Sequence, residues 1–138
     1  MDKLTIHIDG ASRGNPGAAG IGVVVYDEAG ATLMEISEYI GQTTNNVAEY
    51  TALIRGLEEA YALGASVVSI KTDSELLARQ ISGIYKVKAP HLRPMYELAC
   101  VLVRKFRSVT VEHVPREQNS EADRLASMAA KTKKSSRS

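Results

Sequence analysis

The chain has 138 residues, of which 44% are hydrophobic and 24% charged, the profile of one compact soluble domain with its own core. Its 17 lysines and arginines against 16 acids leave a formal net charge of +1, which by itself announces no nucleic-acid or membrane partner. No run of about 18 apolar residues and no leader-like start is present, so neither a membrane span nor a secretory signal is expected and a cytoplasmic location is.

Residues 3–9 alternate, Ile6 and Ile8 against His7 and Asp9, so a strand of period two carries a carboxylate to its end and falls into the turn GASRGNPG. Residues 20–27 (GIGVVVYD) and 32–40 (TLMEISEYI) read as two more strands, joined through Asp27-Glu28-Ala29-Gly30 into a hairpin meander. The period then changes. Tyr50, Leu53, Ile54, Leu57, Ala60 and Tyr61 recur at helical spacing and Gly64 supplies the stop, which predicts a helix of about 18 residues. VVSIKTD (67–73) is a short β-branched strand that again ends on aspartate, and SELLARQIS resumes the helical period. Pro90 and Pro94 bracket a loop or helix start before the helix MYELACVLVRKF, where Cys100, the single cysteine, reads as a small buried thiol. SVTVEHV (108–114) is a fifth strand, and Asn119 to about Ala130 a final helix. One domain over 1–130 is expected, followed by a basic tail, 131–138 (KTKKSSRS), whose polar low complexity predicts disorder.

A three-stranded meander followed twice by a helix and a strand argues for an α/β fold with a mixed sheet, the later strands joining the first in parallel. Ligands of such sheets collect beyond the carboxyl ends of the parallel strands. Asp9 and Asp73 both sit at such an end.

Two further acids open helices. Asn46-Val47-Ala48-Glu49 and Ser120-Glu121-Ala122-Asp123 each have the spacing of a capping box, and Asp73 precedes Ser74 where it could serve as an N-cap. Capping accounts for each acid taken singly. It does not explain why two strand ends and two helix starts all supply carboxylates, which repel one another unless a cation compensates them. Oxygen ligands without cysteine or paired histidine select Mg2+ or Mn2+ over zinc, and the chemistry suggested is two-metal displacement at phosphorus.

The motifs DGASRGNPG, TTNNVAEY, KTDSELL and PREQNSEADRLA, in this order over about residues 4–130, resemble type 1 ribonuclease H, enzymes that cut the RNA strand of RNA–DNA hybrids. The resemblance implies a five-stranded mixed sheet in the order 3-2-1-4-5 flanked by helices. It implies Asp9, Glu49, Asp73 and Asp123 as catalytic and metal-binding acids holding two Mg2+ or Mn2+ ions, with 5′-phosphate and 3′-hydroxyl products. Asn15, Asn45 and Asn46 are similar to the family's minor-groove contacts, with Asn46 also open to a capping role, and Asn15 with Thr44 to its phosphate pocket. Gly10 and its neighbours would let the turn lie close to a nucleic-acid backbone.

The segment before the fourth acid, PREQN, is shorter than in many type 1 members and lacks their mobile histidine. It resembles the short-loop branch, in which Arg116 takes that place, while His113 reads as a packing or surface residue. No tryptophan occurs, and the stretch 83–93 is too short for the basic protruding helix of some members, leaving Tyr85, Lys86, Lys88 and Arg93 as substitutes. The expected partner is an RNA–DNA hybrid, with no obligate protein partner. Two alternatives stay open: a nuclease for double-stranded RNA or RNA–DNA junctions, and a non-catalytic nucleic-acid-binding module. Four mutually repelling carboxylates weigh against the last.

Overall fold

Leu4, Ile6 and Ile8 fall on one face of the first strand and are at most 2% exposed, which sets the side of the sheet on which the main core forms. The computed structural model describes residues 2–138. Its strands are β1 (Lys3–Ser12), β2 (Gly17–Tyr26), β3 (Thr32–Thr43), β4 (Val67–Thr72), β5 (Ser108–His113) and β6 (Ser136–Arg137). Its α-helices are α1 (Asn45–Ala62), α2 (Glu75–Ile81), α3 (Arg93–Val103) and α4 (Ser120–Thr132), with a 3₁₀ turn over Arg116–Gln118.

These strands make one six-stranded sheet in the order β5-β4-β1-β2-β3-β6. The expectation of five strands is corrected: the meander and its two parallel additions are present, and β6 extends the sheet beyond β3. β1 also continues past Asp9. Its parallel pairing with β4 stops at Ile8 opposite Thr72, but its antiparallel pairing with β2 runs on to Ser12 opposite Ala19. Asp9 therefore stands where the parallel half of the sheet ends and the hairpin goes on alone.

Helix α1 lies on the Ile6–Ile8 face, with Gly56 placed so that a Cβ there would sit 3.3 Å from the γ-methyls of both isoleucines. Helix α4 covers the opposite face across β2 with Ala122, Ala126, Ala129 and Ala130, all at most 1% exposed. The approach is so close that a Cβ on Gly22 would fall 2.1 Å from the carbonyl oxygen of Ala122. Only glycine on the strand and alanine on the helix permit it.

Helix starts differ from the expected capping boxes. Thr44, not Asn46, caps α1, its Oγ1 accepting from Val47 N–H at 3.3 Å. Ser74, not Asp73, caps α2 by accepting from Leu77 N–H at 3.1 Å. The first turn of α4 has no side-chain cap. In both α1 and α2 a hydroxyl takes the cap position, which leaves Glu49 and Asp73 free for other partners.

The C-terminal residues do not form the disordered tail expected from Lys131. α4 runs to Thr132, Lys133 turns the chain in the left-handed region at φ 56°, and β6 returns antiparallel onto Ile36 and Ser37 of β3. Ser138 exchanges both backbone hydrogen bonds with Glu35, at 2.9 and 2.8 Å. Arg137 donates to both carboxylate oxygens of Glu59 on α1, at 2.7 and 3.0 Å, and Glu59 is 8% exposed. Backbone pairing and a buried anion supply what the polar composition could not signal. Cys100 is half-buried rather than fully enclosed. Among the described residues no helix is long and apolar enough to cross a membrane.

Candidate active site

The end of β1, the first turns of α1, α2 and α4, and the 3₁₀ turn enclose a cleft of about 550 Å³. Asp9, Glu49 and Asp73 meet at its floor, each offering a carboxylate oxygen within 4.8 Å of the others. Asp9 and Glu49 are buried, at 4% and 8% exposure, and Asp73 is half-buried. Gly10 brings α1 to Asp9: a Cβ on it would lie 2.4 Å from the carbonyl carbon of Ala48 and 2.5 Å from the nitrogen of Glu49. Its own N–H donates to Glu49 Oε1. Gly10 thus faces the helix backbone, and the close approach that requires a glycine is intramolecular.

Burial pushes the Asp9 carboxyl up to about 10, and the charges of Glu49, Asp73 and Asp123 add to the rise. Burial and the Asp73 charge push Glu49 up to about 8, against the opposing pull of the Gly10 N–H. A set of acids that holds its protons so strongly lacks a positive charge. Its donors are all hard oxygens, so the set fits a hard divalent cation.

Asp123 lines the same cleft but stands outside the close group of three. Its side chain is 30% exposed, and Arg116 reaches its Oδ1 from 3.5 Å while remaining 77% exposed. The four expected acids therefore share one cleft, three of them converging within 4.8 Å and Asp123 at the wall beside Asp9. His113 closes β5 as an exposed residue.

The amide residues form a connected rim. Asn15 Oδ1 accepts from Asn45 N–H at 3.0 Å, and Asn45 Oδ1 accepts from both the N–H and the hydroxyl of Ser12 at 3.0 Å. Each side chain spends its oxygen within the protein, which leaves its NH2 group as the donor available to a ligand. Asn46 is exposed at the cleft edge, and Thr44 is occupied as the cap of α1. Ser12, a member of this network, has no feature in the sequence that distinguishes it from a turn serine.

A second network was also not anticipated. Asn119 is 1% exposed, and its Nδ2 donates to the carbonyl of Ile8 at 2.9 Å. Its Oδ1 lies 3.1 Å from His7 Nδ1, which must then carry the proton. Burial lowers the His7 pKa, partly opposed by this bond. The sole signal in the sequence is that Asn119 begins the final helix, one residue before the capping-box spacing of Ser120 and Asp123.

Between α2 and α3, Lys86, Lys88, His91 and Arg93 are all exposed, and the Arg79 guanidinium lies 5.5 Å from the centre of the Tyr85 ring. None of them lines the acidic cleft, and among the described residues no further helix stands between α2 and α3.

The family described as reverse transcriptase-like matches residues 7–129. Bifunctional protein Rv2228c of Mycobacterium tuberculosis is 48% identical over 92% of this chain, which spans only 35% of that protein's length. RNase H1 of Halobacterium salinarum superposes with a TM-score of 0.91 at 38% identity, covering 94% of this chain and 98% of its own. LC11-RNase H1, solved in complex with an RNA/DNA hybrid, gives a TM-score of 0.88 at 46% identity, with 94% and 97% covered. The sheet, the cleft and these likenesses agree, and the chain belongs to the ribonuclease H family, in its reverse transcriptase-like form.

Proposed function

We propose that this protein is a metal-dependent endoribonuclease that hydrolyses the RNA strand of RNA–DNA hybrids, leaving 5′-phosphate and 3′-hydroxyl ends. The observation that carries the reading is the convergence of Asp9, Glu49 and Asp73 within 4.8 Å at the floor of an open cleft. The hybrid bound to LC11-RNase H1 supports the substrate class.

Asp9, Glu49 and Asp73, with Asp123 at the wall, would hold two Mg2+ or Mn2+ ions. Bound there, such ions supply a water nucleophile at neutral pH and neutralise charge on the scissile phosphate and the leaving oxygen. The chain's own part is placement. The Gly10 N–H orients the Glu49 carboxylate, and the Ser74 cap relieves Asp73 of helix duty. The NH2 groups of Asn15, Asn45 and Asn46 supply uncharged donors to the wide minor groove of a hybrid, where they reach 2′-hydroxyls and base edges without reading sequence. Thr44 holds the α1 terminus that presents Asn45 and Asn46, Asn15 is tied to it through the Asn45 N–H, and Gly10 acts on substrate through that helix. Arg116, largely exposed beside Asp123, contacts a phosphate or the leaving oxygen.

Labelled RNA–DNA hybrid, double-stranded RNA and double-stranded DNA digested with and without Mg2+ or Mn2+ test the reading. Cleavage confined to the RNA of the hybrid and lost on chelation is expected. Preferential cutting of double-stranded RNA would transfer the site to a different substrate, and binding without cutting would make the chain a non-catalytic module.

A further inference from the structure

We infer that Asn119 and His7 form a positioning pair that fixes the first turn of α4 on β1 and thereby sets where Asp123 stands relative to Asp9. This inference rests on the functional reading only for the consequence to turnover; the positioning itself is a statement about the fold.

Asn119 occupies the N-cap position of α4, where an asparagine side chain ordinarily accepts from an N–H of the first turn. Here it makes no such bond. Both of its polar atoms are directed across to β1 instead, the Nδ2 to the carbonyl of Ile8 and the Oδ1 to His7. Ile8 immediately precedes Asp9. The backbone carbonyl of Asn119 meanwhile accepts from the Asp123 N–H at 3.0 Å, one helical turn on. A continuous chain of three hydrogen bonds therefore runs from His7 and Ile8, beside the first acid, to the residue that carries the fourth.

The two acids lie 114 positions apart in sequence, and α4 packs on the sheet through Ala122, Ala126, Ala129 and Ala130 against the glycines of β2. Alanine-on-glycine packing fixes the height of α4 above the sheet. It resists sliding along the strand only weakly, because its contacts are smooth and non-directional. At the first turn, hydrogen bonds to one named carbonyl and one imidazole define the register on β1, while further along α4 the Ser37 hydroxyl donates to the Leu125 carbonyl at 2.7 Å. His7 completes the device, since its Nδ1–H selects which end of the Asn119 amide faces Ile8. The edge of the Tyr26 ring system, with centroids 5.5 Å apart and planes at 80°, holds the imidazole itself.

His7 is the better handle experimentally because it is only half-buried, whereas Asn119→Ala opens a buried polar hole. His7→Leu removes the donor, and His7→Asn restores an N–H at the position of Nδ1. Amide hydrogen exchange at Asp123 reports the first turn of α4 without reference to activity. We expect His7→Leu to accelerate exchange at Asp123 selectively, leaving central amides such as Ile6 and Val24 unchanged. It should lower kcat on hybrid by roughly 10-fold with KM unaltered, the scale on which supporting residues act. His7→Asn should recover both. Unchanged exchange, acceleration spread evenly over the sheet, or a kcat loss that His7→Asn does not repair would each overturn the inference. If the wild-type chain cleaves no hybrid, the functional reading fails by itself, and exchange at Asp123 still decides the positioning.

Discussion

Gly10 and Glu49 are held together through the backbone: the Gly10 N–H donates to Glu49 Oε1, and a Cβ on Gly10 would stand 2.5 Å from the Glu49 nitrogen. Gly10→Ala must push the start of α1 away from β1, because backbone cannot yield as a flexible side chain can. Overpacking of this kind costs about 1–3 kcal/mol. The displacement should also separate Glu49 from Asp9 and reduce cleavage by about 10²-fold. Thermal melting and single-turnover cleavage measure the two effects, and an unaffected Gly10→Ala enzyme would mean that α1 does not lie so close.

Asp73→Asn should bring hybrid cleavage down by at least about 10²-fold while hybrid binding persists, since the amide rim is untouched. The same change removes a charge that raises both Asp9 and Glu49. In chelator near pH 8 the variant should therefore melt at or above the wild-type temperature. Wild-type turnover in Asp73→Asn would remove these acids from the chemistry.

Stability without divalent ions should fall as pH rises. Unfolded carboxyls titrate near 4, whereas Asp9 and Glu49 are held up to about 10 and about 8 in the fold. A raised folded value means that the native state binds more protons between these limits, so its advantage is complete below about pH 4 and is lost as pH climbs through 8 and 10. Melting in EDTA should occur at a lower temperature at pH 9 than at pH 6, and added Mg2+ or Mn2+ should narrow the gap. A melting temperature that rises with pH in EDTA would contradict the burial of these groups.

Arg116→Ala should reduce kcat by roughly 10-fold without abolishing cleavage, as expected for a donor to phosphate that ligates no ion. Melting should hardly change, because its pair with Asp123 is 3.5 Å long and largely in water. Unaltered kinetics would assign Arg116 to the solvated surface.

Removal of residues 134–138 should destabilise the folded domain, since it strips β3 of its outer partner and leaves the buried Glu59 without Arg137. The half-exposed arginine moderates the loss to about 1 kcal/mol, or about 4 °C in melting temperature. Glu59→Gln in the shortened chain should restore part of it. An unchanged melting temperature after truncation would show that β6 contributes nothing to the sheet.

What the sequence by itself determined lies in short-range patterns. Period two in residues 3–9 and the β-branched run 67–73 located strands and delivered Asp9 and Asp73 to their ends, because side-chain alternation and turn chemistry act over a few neighbours. The four ordered motifs carried the family and, through it, Glu49 and Asp123. Tertiary structure alone decided which atoms each polar residue meets. Gly10 read as a turn glycine, and its real constraint is the backbone of Ala48 and Glu49 across the interface. Asn119 read only as the start of the final helix, one residue before the capping-box spacing, yet its side chain bonds to Ile8 and His7, more than a hundred residues away. Residues 131–138 read as a solvated tail, and their order comes from an open strand edge and from Glu59, a buried acid 78 positions before Arg137. Local composition measures what a segment prefers in water. A bare sheet edge, an unpaired buried charge or a neighbouring backbone exists only once distant segments have been brought together, and those groups then set the preference.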